Sequence, residues 1–194
     1  MPEKQFFVHP NAICESENIG KNTRIWAFTH ILKGAKIGED CNLCDAVFVE
    51  NEVVIGNRVT IKNSIAVWDG ITIEDDVFLG PNCVLTNDLY PRSKAHLPLV
   101  KTLIKQGATI GANATVICGN TLGRYCMIGA GAVVTKDVPD FALVLGNPAR
   151  FKYWVAKTGE KLNFDSINIA LDSKGNKYKL IKTIENIEKV IEIE

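Results

Sequence analysis

An aliphatic residue opens every sixth position of this chain over two long runs. The first goes Ile13, Ile19, Ile25, Ile31, Ile37, Leu43, Val49, Ile55, Ile61, Val67, Ile73, Leu79, Leu85, and the second Ile104, Ile110, Val116, Leu122, Ile128, Val134. All nineteen hexads therefore begin with Ile, Leu or Val. Neither a 3.6-residue helical period nor a two-residue strand period survives that length, so the repeat predicts an all-β solenoid of short strands and turns. Three hexads per triangular turn would give about six coils, with residues eighteen apart stacked on each other.

Ile19-Gly20-Lys21-Asn22-Thr23-Arg24 and Ile55-Gly56-Asn57-Arg58-Val59-Thr60 show the unit. Its first place is expected inward, with the fifth packed beside it, and Gly, Asn or Asp between them for the left-handed backbone of a tight corner. Glu17 and Asn120 break the fifth-place rule. The first falls where burial is weakest, and the second should find a partner in a stacked turn.

Leu85 and Ile104 are nineteen apart, one more than three hexads, and Tyr90-Pro91-Arg92-Ser93-Lys94-Ala95-His96-Leu97-Pro98 has lost the pattern. Residues 90–103 are expected to form a loop thrown out of the solenoid, a length usually tied to function. Residues 1–12 should cover the first open coil. Beyond Asp137-Val138-Pro139-Asp140 the repeat stops, dividing the chain into a solenoid over 1–150 and a cap over 151–194. Phe151 to Lys157 suits a short helix stopped by Gly159. Ser173-Lys174-Gly175-Asn176-Lys177 suits a hairpin turn.

Lys plus Arg equal Asp plus Glu at 22 each. That balance offers no basic field to nucleic acid or an anionic membrane, and no apolar run is long enough to span a bilayer. The start carries no apolar signal segment, so a cytoplasmic location is expected. Cys41, Cys83 and Cys126 occupy fifth places, as small buried hydrophobes would. Cys44, three after Cys41, falls in the second place of the next strand, so the pair is not read as half of a metal site.

Asn51, Asp69 and Asn87 are eighteen apart, each in a third place, so coil geometry stacks them on one corner. Ordinary turn chemistry would account for such residues equally, as at Asn57, Asn63 and Asp75.

The aliphatic-Gly-x-x-small-x unit with one ejected loop resembles the left-handed parallel β-helix of the hexapeptide-repeat acyltransferases, over about residues 8 to 150. Ile128-Gly129-Ala130-Gly131-Ala132-Val133-Val134-Thr135-Lys136-Asp137-Val138-Pro139, with Gly146-Asn147-Pro148-Ala149, looks like the coenzyme A end of that family. Arg24-Ile25-Trp26, Trp68-Asp69-Gly70, Thr86-Asn87-Asp88 and Pro91-Arg92-Ser93 resemble the enzymes that acetylate the 3-amino group of nucleotide-linked amino sugars. The Trp-Asp-Gly and Thr-Asn-Asp spellings look more like the branch acting on dTDP-3-amino-3,6-dideoxyhexoses than the branch acting on a UDP-linked 3-amino uronate.

The resemblance implies acetyl-CoA as cosubstrate, no metal, and a homotrimer with sites between subunits. Acetyl transfer to an amine needs positioning first, which can supply of order 7–11 kcal/mol of barrier reduction. A base adds less, about 10²–10⁴-fold. Asp69 and Asn87 are then the expected catalytic pair, Asp69 accepting a hydrogen bond from the amine and Asn87 orienting it. Asn51, Asp88, Arg92, Lys94, Arg24, Trp26, Tyr90 and His96 are expected to meet the nucleotide sugar. Ala112 and Ala130 would admit the pantetheine arm, with Lys136, Pro148, Arg150 and Lys152 at the coenzyme end. Two competing readings are a carbonic-anhydrase-like metal enzyme, which needs His9, His30 and His96 to converge, and a purely structural solenoid.

Overall fold

In a computed structural model, which describes residues 5–94 and 98–193, the chain forms a three-sided parallel β-helix followed by a small antiparallel sheet. The first face stacks Val8, Ile25, Leu43, Ile61, Leu79, Ile110, Ile128 and Val144. The second carries Cys14, Ile31, Val49 and Val67, then Leu85, Val116 and Val134. The third runs from Ile19 through Ile37, Ile55, Ile73, Ile104 and Leu122 to Val138. These inward rows merge with the fifth-place residues into one continuous core.

The first face has eight rungs, more than six coils would supply. Val8 and Val144 stack although they lie 17 and 16 residues from their partners Ile25 and Ile128, outside the hexad count. The opening segment therefore contributes a true rung, Phe7–Val8, rather than an irregular cover.

The first coil also corrects the register. Ile13 is 57% exposed, and Cys14 pairs with Ile31 in its place. Val8 sets this count, since the inward slot six residues on is Cys14. The next side, Cys14 to Ile19, is one residue short. Ser16 takes the buried position there, donating its hydroxyl to Ala35 O at 2.7 Å, and Glu17 is exposed.

Left-handed backbone falls on the fourth place, at Asn22, Asp40, Arg58, Ser64, Asp76, Asn82, Asn113 and Tyr125, so it is not confined to Gly, Asn and Asp. The second-place glycines answer a different constraint. A Cβ on Gly38 would lie 2.5 Å from Gly56 O, because the next coil's backbone passes directly over it. Buried fifth-place polar groups are satisfied within the stack: Thr23 Oγ1 donates to Gly38 O at 2.8 Å and accepts from Cys41 N at 3.0 Å. Asn120 instead finds its partner in its own coil, donating to Ile117 O at 2.7 Å.

Cys41, Cys83 and Cys126 are buried at their fifth places. Burial pushes the Cys83 and Cys126 thiols up to about 12. Cys44 faces outward on the next strand, and its sulfur accepts from Asn42 Nδ2 at 3.4 Å.

Strand partners across the loop are 31 residues apart, as Leu79 and Ile110, where those before it are 18 apart, as Ile61 and Leu79. Leu85 and Ile104 thus bound a single side of the prism. The loop is an insertion at one corner, and the helix resumes the rung it left.

Phe151 to Lys157 is not helical. Arg150–Trp154 is a strand antiparallel to Ala142–Leu145, an arrangement that suits its aromatic alternation and closes the end of the first face. Phe141 stacks on Tyr125 with centroids 5.6 Å apart and meets Tyr178 edge-on at the same distance. The hairpin between Ile169–Leu171 and Lys177–Lys182 forms as read, and Glu188–Ile193 completes a three-stranded sheet. Its buried Tyr178 hydroxyl donates to Asp172 Oδ2 at 3.0 Å and accepts from Lys157 N at 3.1 Å, pinning this sheet to the coil end.

Candidate active site

The corner between the second and third faces holds Asn51, Asp69 and Asn87 in consecutive coils. Its two lower members cap the turn before them. Asn51 Oδ1 accepts from Gly34 N at 3.0 Å, and Asp69 Oδ1 accepts from Glu52 N at 2.6 Å. At the corner between the third and first faces, the fourth-place amide reaches a main-chain oxygen of the preceding coil instead, as Arg58 N does to Glu39 O at 2.8 Å. Side-chain oxygens do that work here because Gly34 and Glu52 do not adopt the left-handed backbone.

Asn87 departs from the row, donating from Nδ2 to Asp69 O at 3.4 Å. Here the second face also loses its pairing. Ala66–Val67 and Val84–Leu85 end two separate sheets, whereas the first and third faces stay continuous at this level. Asp69 and Asn87 therefore belong to the two coils between which the second face is unpaired. Among the described residues, Asp69 Oδ2 has no hydrogen-bond partner. By contrast, Arg58 donates to Asp76 Oδ1 at 2.6 Å and holds that carboxyl below its usual range, so the acids of that other corner are committed to structure.

Asp69 is held from the preceding coil at two points. Besides the Glu52 contact, its own N–H donates to Glu50 Oε2 at 2.6 Å. Glu50 escaped the eighteen-residue rule because the clasp spans nineteen. The same reach recurs where Cys118 N donates to Thr86 Oγ1 at 2.9 Å, and that Glu and Thr share a second place is the only signal in the sequence.

The loop leaves from this corner. Asp88 Oδ1 accepts from Tyr90 N at 2.8 Å and shapes its first turn, while Tyr90, Arg92 and Lys94 are exposed. The returning strand docks through Val100 N to Asn87 O at 3.2 Å and Thr102 N to Gly70 O at 3.0 Å. His96 lies outside the described residues.

Other expected residues lie elsewhere on the prism. Arg24 and Trp26 are on the first face, lining an open groove of about 360 Å³ with Asn42, Cys44, Asp45 and Asn63. Trp26 Nε1 donates to Asn42 Oδ1 at 2.8 Å, and its ring meets Phe7 with centroids 5.4 Å apart. Ala112 and Ala130 stack on the corner between the first and second faces, where Gly131 N donates to Ala112 O at 2.9 Å. Lys136 and Arg150 line one cavity of about 270 Å³ at the C-terminal end, with Thr135, Asp137 and Ala149. Pro148 follows a cis peptide bond beside them, and Lys152 is exposed on the closing strand.

His9 and His30 belong to different faces. His9 Nδ1 accepts from Asn11 N at 3.1 Å, and His30 Nε2 meets Glu15 Oε1 at 2.9 Å. Among the described residues no three of His, Cys, Asp and Glu are grouped to hold a metal, and no helix is long and apolar enough to cross a membrane.

A profile of the hexapeptide repeat of succinyl-transferases matches residues 46–87 and 103–136. The chain is 56% identical over 179 residues to the dTDP-3-amino-3,6-dideoxy-alpha-D-galactopyranose 3-N-acetyltransferase of Aneurinibacillus thermoaerophilus, covering 89% of this chain and 90% of that protein. Its fold resembles an N-acyltransferase from Bacillus cereus solved with dTDP and coenzyme A, at 19% identity and a TM-score of 0.64, over 72% of this chain and 85% of that one. A perosamine N-acetyltransferase from Caulobacter crescentus, solved with coenzyme A and GDP-perosamine, is 24% identical with a TM-score of 0.51. That match covers 75% of this chain and 57% of the other.

Proposed function

Because this chain belongs to the hexapeptide-repeat sugar N-acetyltransferases, we propose that it moves the acetyl group of acetyl-CoA onto the 3-amino group of a dTDP-linked 3-amino-3,6-dideoxyhexose. The observation that carries the reading is 56% identity to a 3-N-acetyltransferase of such a sugar over 179 residues, 89% of this chain.

The neutral amine attacks the thioester carbonyl carbon, a C–N bond forms, and the oxyanion collapses with cleavage of the C–S bond. The amine proton leaves through Asp69, water or the departing thiolate. Asp69 suits this role because Oδ1 is spent on Glu52 N while Oδ2 has no hydrogen-bond partner among the described residues. Asn87 orients the amine or sugar beside it. Asn51 extends the row, and Asp88, Tyr90, Arg92, Lys94 and His96 approach the nucleotide sugar from the loop. Arg24 and Trp26 offer a charge for a phosphate and an aromatic face for a base. Lys136 and Arg150 receive the coenzyme phosphates, with Pro148 beside them, and Ala112 and Ala130 let the pantetheine arm approach the backbone.

The Asp69 corner and the Ala112–Ala130 corner are different edges of one prism. A site using both is completed by a second copy, which supports a homotrimer with sites between subunits. The reading places the enzyme in the cytoplasm, supplying a sugar for surface polysaccharide such as lipopolysaccharide.

Incubation with acetyl-CoA and a panel of dTDP- and UDP-linked 3-amino sugars, followed by mass spectrometry, tests it. An acetylated dTDP-3-amino-3,6-dideoxyhexose is expected. Turnover confined to a UDP-linked 3-amino uronate would move the chain to the other branch, and no thiol release with any amino sugar would defeat both.

A further inference from the structure

We infer that Glu50 is a positioning residue for the acetyl transfer, acting through Asp69 rather than on the substrate; the inference rests on the reading of Asp69 as the group that meets the amine. Three observations carry it. The second face parts between Ala66–Val67 and Val84–Leu85, so the coil bearing Asp69 is not tied there to the coil bearing Asn87 by strand pairing. Across that unpaired stretch the side-chain link is the 3.4 Å contact from Asn87 Nδ2 to Asp69 O. On its other side Asp69 is bound by two shorter contacts, its amide to Glu50 Oε2 and its Oδ1 to Glu52 N, each 2.6 Å.

The Glu52 contact fixes the carboxylate but depends on where the Asp69 main chain stands. Glu50 fixes that main chain, and a carboxylate acceptor makes the stronger kind of hydrogen bond. A shift of about 1 Å in a reacting group can cost about 10²-fold in rate, so a clasp on a coil that has lost one wall of pairing controls turnover. Glu50 is half-buried, while Trp68, eighteen residues on, stands over the adjoining coil and packs on Phe48 with centroids 5.6 Å apart. The bond from Asp69 N to Glu50 is itself partly buried.

The test compares Glu50→Gln and Glu50→Leu in the full chain, using dTDP-3-amino-3,6-dideoxygalactose and acetyl-CoA. Gln keeps an oxygen acceptor for the Asp69 amide and should hold kcat within about threefold. Leu removes it and should lower kcat per folded molecule by about 10-fold or more, with KM for acetyl-CoA unchanged. In an Asp69→Ala background, Glu50→Leu should cost little further, because its effect passes through Asp69. Wild-type kcat in Glu50→Leu, or a Gln variant as slow as the Leu variant, would overturn the positioning role. If Asp69→Ala itself turns over normally, the reading of Asp69 fails instead, and the single-variant data tell the two failures apart.

Discussion

Asn87 donates its side-chain amide to the main-chain oxygen of Asp69 in the preceding coil, across the place where the second face is unpaired. The first and third faces stay paired at this level, so the break in the ladder is confined to one side of the prism.

Asp69 has separable jobs, and two substitutions divide them. Asp69→Asn keeps an oxygen for Glu52 N but is a poor proton acceptor, so kcat should fall at least about 10-fold with little change in Tm. Asp69→Ala should lose similar activity and also the turn cap, about 1 kcal/mol, or roughly 2–4 °C in Tm for a chain this size. Steady-state kinetics beside thermal melts check both, and wild-type turnover in each would remove Asp69 from the chemistry. Asn87→Ala should slow turnover at least about 10-fold while leaving the fold intact.

If the C-terminal cavity takes the coenzyme as we propose, Arg150→Ala should raise KM for acetyl-CoA about 5–10-fold with kcat nearly unchanged, since a phosphate contact contributes uniform binding. Added salt should narrow the gap from wild type. An unaltered KM at low salt would return Arg150 to plain surface.

Thiol chemistry reads the core. Burial raises Cys83 and Cys126 from 9.0 to about 12, so their reactive thiolates are scarce at pH 8. Of the six cysteines only Cys14 and Cys44 are not buried, and Ellman's reagent should find no more than two fast thiols in the native protein. The linkage runs the same way. Both thiols stay protonated in the fold while the unfolded chain ionises near pH 9, so this stability is complete below pH 9 and is lost as pH climbs towards 12. Melts under reducing conditions across that window should show the decline, flattened by Cys83→Ala.

Close stacking makes a sharp prediction at Gly38. A methyl there would come 2.5 Å from both Gly56 O and Asn57 Oδ1. Gly38→Ala should cost about 1–3 kcal/mol, measured as a lower denaturation midpoint with an unchanged m-value. Gly131→Ala, with nothing within 4 Å but a φ of +68°, should be penalised through its backbone instead.

Where the sequence repeats, it spoke plainly. Stacking eighteen residues apart brought Asn51, Asp69 and Asn87 to one corner because identical hexads leave a row no other place to go. Ile13 misled because an aliphatic side chain satisfies the pattern whether it faces in or out, and Val8, outside the repeat, decides between them. Phe151–Lys157 misled because its strand state comes from pairing with Ala142–Leu145, a tertiary contact that helical propensity does not see. The Glu50 clasp and the unpaired stretch beside Asp69 depend on side-chain reach and on the path of the loop, and hydrophobic periodicity encodes neither.

The loop leaves and rejoins at one corner, and Leu79 still finds Ile110 on the next rung. Neighbouring rungs are thus indifferent to how much chain a corner carries, and lengthening such a corner costs only slowly growing loop entropy. A solenoid of this kind can therefore rewrite the surface it presents at one edge by editing a single hinge of the prism, while the ladders that keep the protein folded pass unchanged.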